Sequence, residues 1–229
     1  MEVSARVDRE EALAFLGHRG QALGDLRERL ERAARLCEDE LSPRGVYRVM
    51  GAPEALALLP GRDIARHVEG CPDVVLLAVT LGAPSEMLLR RERALSATDG
   101  LLVDACASSL VEQAANVLSE RIAEEAAARG LVATSRFSPG YGDLPLSCQP
   151  AFLAACGADR TLGIRATPAH LLVPAKSITA VIGLYLESNS ARKGGASTAP
   201  TEGMRCSTCP VADTCALRAE GRTCYGNPA

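Results

Sequence analysis

The chain has no tryptophan, and its aromatic content is only 3%, from three phenylalanines and four tyrosines. Few ring faces are therefore available for stacking on bases, and a formal net charge of −3 offers no basic footprint, so nucleic acid is not expected as a partner. No run of about 18 apolar residues is present to cross a membrane. The opening MEVSARVDREEALAF is charged where a secretory signal needs an apolar stretch, so a cytoplasmic location is expected. No Gly-x-Gly-x-x-Gly follows a strand-like run, which removes support for a Rossmann-type nucleotide site. The nine cysteines are odd in number. In a chain without export features this argues against a disulfide framework and towards metal binding or redox work.

What is present suffices for one sizeable core, or a core with a small appendage: 229 residues, 47% hydrophobic and 23% charged. Asp8 and Glu11 have capping-box spacing ahead of Leu13 and Leu16, and Gly17 closes that short helix. Leu23, Leu26, Leu30, Ala34, Cys37 and Leu41 recur every three or four residues, marking an amphipathic helix that Pro43 ends. Cys37 lies on its apolar stripe and reads as core. Residues 46–49 alternate as a short strand, and DVVLLAVTL at 73–81 reads as a strand buried on both faces. Between them, 53–70 reads as a small helix and turns, with His67 solvated and Cys71 structural. A charged helix over 85–95 precedes the longest helix, where Val111, Ala115, Leu118 and Ile122 form the stripe and Gly130 follows the end. Asp104 reads as a cap of that helix. Helical spacing returns at 149–156. Residues 161–167, 171–176 and 177–185 read as extended pieces, and Lys176, at a Pro174-Ala175-Lys176 corner, reads as a solvated lysine able to reach a phosphate or carboxylate.

The most informative stretch is 136–183, opening with Arg-Phe-Ser-Pro-Gly-Tyr-Gly-Asp-Leu-Pro. Pro139 and Pro145 fix φ while Gly140 and Gly142 permit values that other residues avoid, so this is a shaped loop. Arg136 and Tyr141 flank backbone amides, an arrangement able to hold a small polar ligand bearing a carboxylate. On composition alone a rigid structural loop is the favoured reading. The motif Arg-x-Ser-Pro-Gly-Tyr-x-x-x-Pro, with a later Leu-Gly-Ile run, Val173-Pro174-Ala175-Lys176-Ser177 and Gly183, resembles the reactivation domain of cobalamin-dependent methionine synthase. The likeness runs from near residue 10 to about 187 and is strongest to free-standing forms. It implies S-adenosylmethionine as ligand: Arg136 on its carboxylate, backbone around Ser138 and Gly140 on its polar edges, Tyr141 as a wall, and Glu112 on its amine. The late tyrosine-bearing strand of that family has no counterpart in this sequence.

At 187 the composition turns polar, small and rich in glycine, so 188–203 reads as a flexible linker between a domain at 1–187 and a tail at 204–229. Cys206, Cys209, Cys215 and Cys224 are spaced C-x2-C-x5-C-x8-C, almost without apolar neighbours, and a soft metal is the natural organiser. One C-x2-C with wider gaps, and Pro210 directly after a ligand cysteine, stands closer to a 4Fe–4S cluster than to zinc, which remains the alternative.

The sequence thus leads to an α+β domain, an antiparallel sheet with packed helices, followed by a small cysteine-rich metal-binding tail. By resemblance its function is reductive reactivation of a cobalamin-dependent methyltransferase in trans, with no catalytic side chain assigned. The chain has no Asp-x-His-x-x-Gly cobalamin-ligand motif, so cobalamin would come with a partner protein, and electrons from a flavodoxin or ferredoxin. Two alternatives stay open: a non-catalytic zinc-tailed scaffold subunit, and an activator of another corrinoid protein such as an O-demethylase.

Overall fold

The side chain of Asp8 accepts the amides of Glu10 and Glu11 and so starts α1 (Arg9–Phe15). The capping box is only half formed. The Glu11 carboxylate turns to accept from Ser109 Oγ at 2.8 Å and Gln113 Nε2 at 3.1 Å, while the Asp8 amide donates to Ser109 Oγ. The next helix, α2 (Leu26–Glu40), buries Leu30, Ala34 and Cys37 as its periodicity predicts. The computed structural model describes residues 1–18 and 24–186, so Leu23, the linker at 188–203 and the cysteine-rich tail lie outside the described residues.

Strand β1 (Arg44–Gly51) covers eight residues where the sequence marks four. Two short helices follow, α3 (Ala52–Leu58) and α4 (Arg62–His67), and lead into β2 (Asp73–Thr80). Next come α5 (Gly82–Leu95) and α6 (Ala97–Ala127), whose start is capped by Ser96 accepting from the Asp99 amide, not by Asp104. After β3 (Leu131–Ala133) and a long loop come α7 (Gln149–Cys156), α8 (Ala158–Thr161), β4 (Arg165–Ala166), β5 (Leu172–Val173) and β6 (Ser177–Leu186). The strand read at 161–167 shrinks to β4, because Thr161 still belongs to a helix and Gly163, at φ +72°, turns the chain through the left-handed region. Likewise only Leu172 and Val173 of the piece read at 171–176 pair as a strand.

The main sheet has the order β1-β2-β6-β3, and all neighbours are antiparallel. Alternation along β2 sends Val75, Leu77 and Val79 into one core with α1, α2, α5 and α6. Val74, Leu76 and Ala78 enter a second core with α3, α4 and α7. Burial on both faces is why 73–81 reads as an unbroken apolar run. Strand β6 divides the same way, with Ala180, Ile182 and Leu184 on one side and Val181 and Tyr185 on the other. Helix α6, at 31 residues, is long and apolar enough to cross a membrane by length and composition. In this fold its apolar residues, Leu110, Ala114, Leu118 and Ile122 among them, are buried in the first core. Cys37, Cys71, Cys106, Cys148 and Cys156 are all buried, as expected of packing cysteines.

Candidate functional site

Four polar residues recur at intervals of four along α6, Asp104, Ser108, Glu112 and Asn116, and so share one side of the helix. Two largely buried cations dock there. Arg136, 13% exposed, donates through Nη2 to Glu112 Oε2 at 3.0 Å and to Asn116 Oδ1 at 2.9 Å. Lys176, 12% exposed, donates through Nζ to Ser108 Oγ at 2.7 Å and pairs with Asp104 Oδ1 at 3.2 Å. Asp104 also accepts from Arg93 at 2.8 Å. Lys176 is therefore not a solvated lysine, because a carboxylate and a hydroxyl on α6 lie within its reach.

Arg136 is placed by the backbone on either side of it. The Thr134 amide donates to the Gly183 carbonyl at 2.8 Å, and Phe137 and Val181 exchange both of their backbone bonds. The chain thus continues along β6 as a broken extension of β3, held on both sides of residue 136. Beyond Phe137 the loop closes on itself: the Tyr141 amide donates to Ser138 O, the Gly140 amide to Leu144 O, and the Leu144 amide to Tyr141 O. Gly140 sits at φ +97°, which a side chain would make strained. Tyr141 is 41% exposed and meets the Phe137 ring edge-on, at 6.0 Å between centroids.

The structure therefore joins Arg136 to Glu112 and places Ser138, Gly140 and Tyr141 on the adjoining turn. The only mark of Asn116 in the sequence is its step of four from Glu112, and that of Glu11 is its capping spacing. Burial pushes its carboxyl above the ordinary carboxylate range, against the bonds it accepts from Gln113 and Ser109, and the nearby charges of Glu112 and Asp8 push the same way. His67, read as solvated, is half-buried, with Nε2 2.8 Å from Ser135 O.

The chain aligns with the crystal structure of the MetH reactivation domain bound to AdoHcy at a TM-score of 0.53 and 17% identity, over 76% of this chain and 74% of that one. The fold is that of a reactivation domain. No family model and no curated protein matches the sequence. The likeness to a reactivation domain thus holds at the level of the fold. A cleft of about 680 Å³ lined by Arg27, Glu28, Glu31, Arg35 and other charged residues lies on α2 and includes none of the five loop and helix residues above. Among the described residues no group of three or more His, Cys, Asp or Glu could hold a metal ion. Cys206, Cys209, Cys215 and Cys224 lie outside them.

Proposed function

We propose that the chain binds S-adenosylmethionine at Arg136 and Glu112 and reactivates a cobalamin-dependent methyltransferase in trans, as a cytoplasmic activator. The observation that supports this reading is the Arg136–Glu112 pair at 3.0 Å, within a fold shared with a domain crystallised with AdoHcy. The amino-acid end of such a ligand carries one carboxylate and one ammonium. A guanidinium beside a carboxylate matches both charges, and each protein group exchanges its partner for the ligand without being left buried and unpaired. Asn116 keeps an acceptor on Arg136 during that exchange. Tyr141 offers its exposed ring as a wall, and backbone groups around Ser138 and Gly140 supply the polar edge. The donor set therefore fits the ligand.

When bound, S-adenosylmethionine would supply an activated methyl group, and this chain would hold and orient its amino-acid end. Arg136 and Glu112 would hold the ligand's amino-acid end while its methyl group, together with one electron from a reductant, would pass to the partner's cobalamin, with S-adenosylhomocysteine as the leaving product. The electron would come from a flavodoxin or ferredoxin through a 4Fe–4S cluster on Cys206, Cys209, Cys215 and Cys224, with zinc as the alternative occupant. These soft thiolates suit either metal. The linker at 188–203 would let the tail reach the partner after docking.

The test mixes a methyltransferase loaded with cob(II)alamin, the full chain, S-adenosylmethionine and a low-potential reductant, and follows methylcobalamin by absorbance. Faster formation with the chain than without it is expected. Equal rates across corrinoid partners from the same cell, O-demethylase components included, would leave a zinc-tailed scaffold as the better reading.

A further inference from the structure

One short helix holds both ends of the loop that carries the candidate site. At the end of α4, His67 Nε2 lies 2.8 Å from Ser135 O and 3.0 Å from Thr134 Oγ1. A carbonyl oxygen can only accept, so Nε2 carries the proton in the Ser135 contact. The same imidazole stands 5.2 Å from the Phe137 ring, which in turn meets Tyr141. At the start of α4 the Asp143 carboxylate accepts the amides of Arg62 and Asp63, each at 2.9 Å. Asp63 reciprocates by accepting the Asp143 amide at 3.2 Å.

Two glycines make this approach possible. A Cβ on Gly61 would stand 2.8 Å from Asp143 Oδ1, and a Cβ on Gly142 would collide with the Asp63 carboxylate. Between the two ends, Ile64 of α4 and Leu144 of the loop are buried in the same core. Arg136, Ser138, Gly140 and Tyr141 all lie between the anchors at 135 and 143.

We infer that α4 is a clamp for this site and that His67 and Asp143 are positioning residues, fixing where the turn that carries Tyr141 stands beside Arg136. For its ligand arm the inference rests on the binding reading above. Physically, the bonds inside the turn span only a few residues. Phe137 stays paired with Val181 in any case, but without the clamp the turn at 138–143 would have to be ordered when a ligand arrives, and that entropy would be subtracted from affinity.

The test uses the full chain with His67→Ala, His67→Gln and Asp143→Ala. Amide hydrogen exchange at Gly140, Tyr141 and Leu144 should quicken by about tenfold or more in both alanine variants, while the β2 amides keep their wild-type rates. His67→Gln should restore slow exchange, since its side-chain amide can donate to Ser135 O. Titration with S-adenosylhomocysteine should show binding about tenfold weaker in the alanine variants and within about threefold of wild type in His67→Gln. Unchanged loop exchange in both alanine variants overturns the clamp, as does equal acceleration of the β2 amides, which would make the role one of global stability. Faster loop exchange with unchanged affinity overturns the positioning role. If the wild type itself binds no S-adenosylhomocysteine, the binding reading fails, and the exchange rates alone decide the clamp.

Discussion

Arg136 and Glu112 lie 24 residues apart in sequence and 3.0 Å apart in space, the arginine held by the extension of β3 and the glutamate by the middle of α6. Two elements of different kinds thus converge on one charge pair. Its partner Asn116, one turn further along α6, keeps the guanidinium bonded when Glu112 turns to a ligand.

Arg136→Ala is expected to weaken S-adenosylmethionine binding by roughly ten- to a hundredfold, from a lost charge-assisted bond of about 1.5–3 kcal/mol. Glu112→Gln removes the charge that would meet the ligand amine but leaves Arg136 bonded to Asn116, so a smaller loss is expected. Calorimetry on both variants checks this. A larger loss in Glu112→Gln than in Arg136→Ala would reverse the assigned importance of the two ends.

Gly183 is needed for space, since a Cβ there would stand 2.7 Å from Cys71 Sγ and 3.3 Å from Thr134 Cγ2. Gly183→Ala should lower stability by about 1–3 kcal/mol through overpacking. Adding Cys71→Ala should recover part of that loss, because the closest clashing atom is removed. Thermal unfolding of the two single variants and the double variant measures the coupling, and strict additivity would contradict the contact.

Glu11 sets a pH trend of its own. Its folded carboxyl binds a proton more tightly than its unfolded one, chiefly through burial, with repulsion from Glu112 and Asp8 adding to it. Stability from this group is therefore complete below the unfolded value and is lost as pH rises through the folded one. Glu11→Gln keeps an acceptor for Ser109 and Gln113 but cannot ionise. Its melting temperature relative to wild type should climb as pH rises from the ordinary carboxylate range to neutrality. A flat difference would show that Glu11 does not titrate this way.

The cysteines should divide into two reactivity classes. Burial raises the thiol of Cys37 and pushes those of Cys106 and Cys156 up to about 12, and Cys71 and Cys148 are also buried. Native protein alkylated near pH 8 after metal removal should be modified at Cys206, Cys209, Cys215 and Cys224, and at the other five only in denaturant. Under anaerobic preparation, changing any of the four to Ala should remove most of the iron, and Cys37→Ala none. One equivalent of zinc without iron would establish the alternative metal.

Much of the fold is legible in the sequence because periodicity reports the environment of each residue. The three- and four-residue rhythm of Leu30, Ala34 and Cys37 suits a helix with one buried side, and the unbroken run at 73–81, short and rich in valine, suits a strand covered on both faces. The loop at 136–145 is legible for a related reason: its prolines and glycines restrict or release φ one residue at a time. Local rules of this kind reach a few residues along the chain. They could not foresee that Thr161 would stay helical, that Glu11 would leave Asp8 for Ser109, or that His67 would seek Ser135 and Lys176 would seek Asp104. Those outcomes depend on which strands become neighbours. The order β1-β2-β6-β3 lays residues 134–137 along β6, opposite α6 and over α4, and the cost of leaving a buried charge or amide unpaired then selects each partner from whatever the packing has brought within reach.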